Sequence, residues 1–244
     1  MASTLVPGVT PGQDGDGADR VKMWETRWEQ GETAFHKSNV HKMLEKLMPK
    51  LNPDGNLKKI LVPLCGKSVD MKWLADQGIV AIGIEGVPQA IQEFFTENSL
   101  ERVESNVSGL GPSGKLHQSR DSMIKIYGGD MLQFSTTVEG TFDAIWDRGS
   151  LVALDREDVP GYAKILTDVL NKGGRILVEV MEYTNQSLSV LEESARPPPP
   201  HAMFEPQMRD LFEPQCTVEK VDHDCLKFAG RVDFNLAYYL IVKK

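Results

Sequence analysis

Two hydrophobic rhythms alternate along the chain. Short apolar runs bounded by Gly, Pro, Asn or Asp read as strands, and stretches with apolar residues three and four apart read as helices. After the turn Asn52-Pro53-Asp54-Gly55, Lys59–Leu64 predicts a first strand. A helix follows from Ser68 to Gln77, with Val69, Trp73 and Leu74 on its buried face, and Gly78 stops it. Ile79–Ile84 is the second strand. Pro88 opens the next helix, whose apolar side is Ala90, Ile91, Phe94 and Phe95. Residues 99–121 are polar with scattered Gly and read as a surface excursion. Met123–Tyr127 and Phe142–Trp146 are strands three and four. A helix over Val159–Leu170, ended by Gly173-Gly174, leads into a fifth strand, Arg175–Met181.

The flanks read differently. Residues 1–20 are rich in Gly, Pro and Asp and carry too little apolar surface to offset ordering, which predicts a flexible tail before one domain over 21–244. Trp24 and Trp28 are four apart and share one face of a helix that Gly31 ends; Val40, Met43, Leu44 and Leu47 begin a second. The tryptophans suit core packing or an aromatic lid over a flat or cationic ligand. Late in the chain, Pro197 to Pro200 are stiff and extended, and Pro206 to Phe212 form a short helix. Thr217–Val221 and Asn235–Val242 pair antiparallel at a sheet edge. Strands alternating with helices define an α/β fold, a doubly wound, mostly parallel sheet covered on both faces.

Composition narrows the function. A length of 244 residues suits one domain, and a net charge of −8 with a pI near 5.2 argues against nucleic acid as a partner. No apolar run reaches the roughly 20 residues that span a bilayer. The N-terminus lacks a secretory pattern, and Cys65, Cys216 and Cys225 form no CxxC pair, so a cytoplasmic protein with reduced thiols is expected. Asp14 and Asp16 only faintly echo a calcium loop. His36 and His41, five apart, do not share a helix face, so no metal is expected.

In such a sheet, ligands lie beyond the carboxyl ends of the strands. Those ends are Leu64-Cys65-Gly66-Lys67, Glu85, Asp130-Met131 and Asp147-Arg148. Glu85, about 20 residues past the first turn, is placed to accept ribose hydroxyls. Asp130 can accept from an adenine amino group, and Met131 or Leu64 can pack on the ring. The first turn has only Gly66 where a pyrophosphate needs several glycines, and no P-loop is present. A smaller nucleoside with a cationic centre, S-adenosylmethionine, fits better.

Four stretches then carry a specific resemblance: W-x-x-R-W-x-x-G-x-T-A-F-H (Trp24–His36), PLCGKSVDMKWLADQG (Pro63–Gly78), IEGVPQAIQEFF (Ile84–Phe95) and FDAIWDRGSLVAL (Phe142–Leu154). Together they resemble the thiopurine S-methyltransferase family, well over about residues 22–181 and loosely beyond. The resemblance implies a class I methyltransferase fold, Rossmann-like, with seven strands and an antiparallel edge pair. It also implies S-methylation of small-molecule thiols, aromatic and heterocyclic ones included, by a cytosolic monomer using S-adenosyl-L-methionine. Cofactor contacts are implied for Trp28, Leu64, Glu85 and Arg148, with Asp130 and Met131 at the matching place after strand three. Phe35 matches a substrate-side aromatic.

Direct transfer to sulfur needs alignment and a thiolate more than a strong base. Arg148, a fixed cation, suits holding that thiolate; the plainer reading is a salt bridge with Asp147 or another acid. Cys65 reads as a packed turn thiol rather than a nucleophile. Two departures from the family stand out. Pro197–His201 reads PPPPH, and Lys227 is the one cation near the place of a second substrate-side arginine. The competing readings are methylation of aliphatic thiols, hydrogen sulfide, or selenium and tellurium species. Outside methyl transfer they are a nicotinamide oxidoreductase, disfavoured by the missing GxGxxG, and a non-catalytic cofactor-binding protein.

Overall fold

The structure is a computed structural model and describes residues 17–111, 114–189, 191, 199–228 and 232–244. The expected tail as far as residue 16, with Asp14 and Asp16, and two of the four prolines of the PPPP run lie outside the described residues. Helix α1 (Gly17–Glu29) begins four residues inside the stretch expected to be tail. Gly31, with φ of 70°, turns the chain after it. Then follow α2 (Lys42–Leu51), β1 (Lys59–Val62), α3 (Val69–Asp76), β2 (Val80–Glu85) and α4 (Pro88–Glu97), which has Pro88 in its first turn as expected. After β3 (Arg102–Asn106) and β4 (Lys115–Ser119), the chain continues through β5 (Ile124–Gly128), α5 (Thr136–Glu139), β6 (Phe142–Arg148), α6 (Val159–Val169) and β7 (Leu170–Glu182), and then α7 (Asn185–Leu188), α8 (Glu205–Phe212), β8 (Cys216–Phe228) and β9 (Val232–Lys243).

The described strands form one nine-stranded sheet, ordered β3-β4-β5-β2-β1-β6-β7-β9-β8. β5, β2, β1, β6 and β7 are parallel; β8 (Cys216–Phe228) and β9 (Val232–Lys243) form the expected antiparallel edge pair. Seven strands were expected. The two additional ones, β3 (Arg102–Asn106) and β4 (Lys115–Ser119), fall inside 99–121 and make an antiparallel hairpin on β5. They escape a pattern reading because β3 is an edge strand with almost every side chain in solvent, so nothing selects apolar alternation. α6 also ends at Val169, four residues before Gly173-Gly174, and Leu170 already pairs with Phe142.

The two faces of the sheet account for the alternation. Leu61, Ile145, Ile176, Val178 and Tyr239 point to one layer, with Tyr162 and Leu166 of α6 and Met208 and Phe212 of α8 (Glu205–Phe212). Ile60, Val62, Ala144, Trp146, Leu177 and Tyr238 point to the other, under Leu44 and Leu47 of α2, Met71 and Leu74 of α3 and Phe94 of α4. Strand order reverses between β1 and β6, the place where sheets of this kind form a ligand crevice at the carboxyl ends.

Candidate active site

The strand ends at that crevice are tied to one another. Cys65 N–H donates to Ile84 C=O (3.0 Å), and Gly129 N–H to Glu85 C=O (3.0 Å). Ser150 Oγ donates to Pro63 C=O at 2.7 Å, joining the end of β6 to that of β1. The turn between β1 and α3 is tight: Leu64 and Gly66 both have positive φ, 41° and 51°. A leucine in that region is held there by its surroundings, and Leu64 packs against the main core.

Glu85 is buried at the tip of β2. Its Oε2 accepts from Gly66 N–H (2.7 Å) and its Oε1 from Val87 N–H (2.8 Å). Burial raises the carboxyl above its ordinary range, and N–H donors from Val87, Gly66 and Gly86 offset only part of that rise. Each oxygen retains a lone pair, so the carboxylate is oriented by the backbone and still able to accept two hydroxyls. That donor chemistry fits a ribose. Beyond β5, Asp130 Oδ1 caps the short turn Met131–Gln133 through Leu132 N–H (2.9 Å), and the Met131 side chain is buried in the core beside Ile84. Both residues lie at the predicted strand end, with Asp130 serving there as a backbone cap.

Helix α1 closes over this rim. Trp28 is buried against Val87 and Ala90, and its indole lies 3.4 Å from where a β-carbon on Gly66 would stand. A β-carbon on Gly86 would come within 2.9 Å of Val21, so the helix approaches backbone that only glycine leaves open. Phe35 stands edge-on to Trp24 and Trp28, with ring centroids 5.6 and 5.9 Å apart, and remains partly exposed. Lys67 turns outward to Glu93 and Glu97 (2.7 and 2.6 Å).

Arg148 joins this aromatic group to the sheet: its Nη1 donates to the Phe35 carbonyl at 2.7 Å. The expected alternative partner, Asp147, is not its acid. Successive strand residues face opposite ways, and Asp147 points into the other layer. There it accepts from Tyr162 Oη (2.7 Å) and the N–H groups of Ser150 and Leu151, while burial pushes it up to about 6. The acid beside Arg148 is Glu179, its register partner on β7, with Nε 3.6 Å from Oε1. Sequence reasoning missed Glu179 and its partners His41 and Tyr238. The available signal was a glutamate inside the apolar run ILVEVM.

The structure therefore brings Trp28, Phe35, Leu64, Glu85 and Arg148 around one crevice. It does not bring Lys227, which lies on β8 and faces Asp233 of β9 (3.7 Å). β8 is three strands from β6, about 14 Å at the usual strand spacing. Instead, the chain after β7 comes in from that side. His201 N–H donates to Val152 C=O (2.7 Å), Met203 N–H to Met181 C=O (2.9 Å), and Tyr183 Oη to Pro200 C=O (2.5 Å). Cys65 is buried and burial raises its thiol well above the ordinary range, which makes it a poor nucleophile. No three-residue metal-ligating group occurs among the described residues.

A doubly wound sheet with an antiparallel edge pair, a single-glycine first turn and a buried, backbone-held carboxylate at the tip of β2 defines a class I methyltransferase. Its fold matches that of magnesium protoporphyrin IX methyltransferase from Synechocystis PCC 6803 with bound S-adenosylhomocysteine. The TM-score is 0.65 at 13% identity, covering 94% of this chain and 100% of that one. The family model for thiopurine S-methyltransferase matches residues 20–232, and the chain belongs to that family. A probable thiopurine S-methyltransferase of Danio rerio is 38% identical over 83% of this chain and 84% of its own length. The thiopurine S-methyltransferase of Panthera leo is 33% identical over 83% and 80%. The protein is thus an S-adenosyl-L-methionine-dependent methyltransferase. No helix among the described residues is long and apolar enough to cross a membrane.

Proposed function

We propose that the protein methylates the sulfur of aromatic and heterocyclic thiols, thiopurines among them. The observation that carries this reading is the placement of Arg148. Its guanidinium sits between the cofactor-side strand ends and the aromatic group of Trp24, Trp28 and Phe35, held by the Phe35 carbonyl. S-adenosylmethionine supplies a methyl group on a sulfonium, already activated toward a sulfur nucleophile. The chain's own residues then have three tasks. Glu85 orients the nucleoside through its hydroxyls, with Leu64 and Met131 beside the base and Asp130 near its edge. Trp28 and Phe35 cover the crevice and exclude water, which strengthens charge interactions inside. Arg148 holds the acceptor sulfur as thiolate, as a cation and donor rather than a base.

The test is a panel of acceptors scored by S-adenosylhomocysteine formed: a thiopurine, an aryl thiol, an aliphatic thiol, sulfide and selenide. Thiopurine and aryl thiol are expected to lead; turnover confined to the last three would overturn the acceptor class. Arg148→Lys keeps the charge and loses the planar fork, and should lower kcat/KM for the aryl thiol by about tenfold or more. We also propose one catalytic domain over residues 21–244, acting in the cytoplasm. The thiols of Cys65, Cys216 and Cys225 are all unpaired, which supports a reducing compartment. Lys227 is not given a substrate contact in this reading.

A further inference from the structure

Glu179 is the acid that the acceptor site does not need for methyl transfer and nevertheless buries. Its side chain is 4% exposed, inside a run of valines and leucines on β7. Arg148, Glu179 and Tyr238 stand in register on β6, β7 and β9, all on the face that carries Trp146. Tyr238 Oη donates to Glu179 Oε2 at 2.6 Å, and His41 Nε2 lies 3.1 Å from the same oxygen. Oε1 is turned toward Arg148. Asp70 braces the far side of the group: its Oδ1 accepts from His41 N–H (2.8 Å) and its Oδ2 from Trp146 Nε1 (2.9 Å). Burial by itself would favour the neutral acid, but the His41 hydrogen bond, the Arg148 guanidinium and the Tyr238 hydroxyl outweigh it and hold the carboxyl below its ordinary range. A full negative charge therefore lies directly behind the guanidinium that faces the acceptor.

We propose that Glu179 is a positioning and specificity-determining residue: it fixes Arg148 and cancels much of its charge, so that the site favours thiols with no second anionic group. The proposal rests on the thiol-methylation reading above. An unpaired arginine would welcome an acceptor carrying a carboxylate or phosphate beside its sulfur. An arginine backed by a buried carboxylate offers a directed donor and little net charge. One negative charge, that of the thiolate formed for transfer, is accommodated; a second meets Glu179 without compensation. The other charged and titratable groups facing Glu179 do not replace this effect. His41 shares its Oε2, Tyr238 is a neutral donor there, and Asp70 adds a further acid behind His41.

The experiment compares para-mercaptobenzoate with para-mercaptobenzamide, a pair matched in shape and differing in the carboxylate. Wild-type protein should prefer the amide in kcat/KM by on the order of tenfold. Glu179→Gln keeps volume and hydrogen-bonding capacity and should move the ratio toward the carboxylate by a similar factor. Tyr238→Phe removes a hydrogen bond to Glu179 without changing charge, and should leave the ratio at its wild-type value even if both rates fall. Equal use of the two thiols by wild-type protein overturns the proposal, and this arm needs no variant to fold. So does a folded Glu179→Gln protein with an unchanged ratio, or a Tyr238→Phe protein that shifts the ratio as Glu179→Gln does. If wild-type protein methylates neither these thiols nor a thiopurine while turning over an acceptor that is not an aromatic or heterocyclic thiol, the thiol reading itself fails and the Glu179 assignment falls with it.

Discussion

At the scale of single residues, the site is made by side chains whose partners are backbone. Glu85 is held by two N–H groups, so the proposed contact with ribose hydroxyls would need little further ordering. Removing it costs the hydroxyl contacts and also leaves Gly66 and Val87 N–H without their acceptor. Glu85→Ala should weaken S-adenosylmethionine binding by roughly a hundredfold or more, taking about 1.5–3 kcal/mol for each charged hydrogen bond lost. Unchanged affinity by titration calorimetry would reject the ribose assignment. Glu85 was legible in the sequence because its place at the end of an apolar run, past a glycine turn, is a local fact. Glu179 was not, because its meaning depends on Arg148 and Tyr238, 31 and 59 residues away, arriving on either side of it.

At the scale of elements, the contact between β2 and α3 decides how the first turn is held. Gly83 lies in β2, and a β-carbon there would stand 2.6 Å from Cys65 Sγ and 3.0 Å from the Met71 side chain. The strand is flat at this point so that the turn and the helix behind it can seat directly on its backbone. Gly83→Ala should destabilise the protein by about 1–3 kcal/mol, as overpacking of a close-packed core does. A thermal melt within a degree of wild type would show that the turn has room to relax. Helix α1 presents the complementary case. Its tryptophans were ambiguous between core and lid: Trp28 is buried on the β2–α4 corner, and with Trp24 it packs against the exposed Phe35.

At the scale of the molecule, the hairpin β3–β4 lengthens the sheet on one edge and β9–β8 finishes the other. Among the described residues, the exposed large apolar side chains are Met23, Phe35, Val103 and Phe204. With a net charge of −8 these surfaces give copies of the chain little reason to associate. We propose a monomer, and sedimentation should return a single species near 27.2 kDa; a stable dimer would contradict it.

The sequence by itself determined the alternation of strands and helices, the first turn, the strand-end carboxylate and the family motifs. Each of these is encoded by residues near one another in the chain, through periodicity and turn chemistry. Only the tertiary structure decided three things. One is that the polar stretch 99–121 forms two edge strands, since an edge hairpin borrows its partner from β5 and need not bury its own side chains. Another is that Lys227 stands beside Asp233 on the edge pair, three strands from Arg148. The last is that Arg148 is backed by Glu179 rather than Asp147. Strand alternation sends Asp147 to the opposite layer, and parallel pairing of β6 with β7 sets Glu179 alongside, a juxtaposition that no local pattern records.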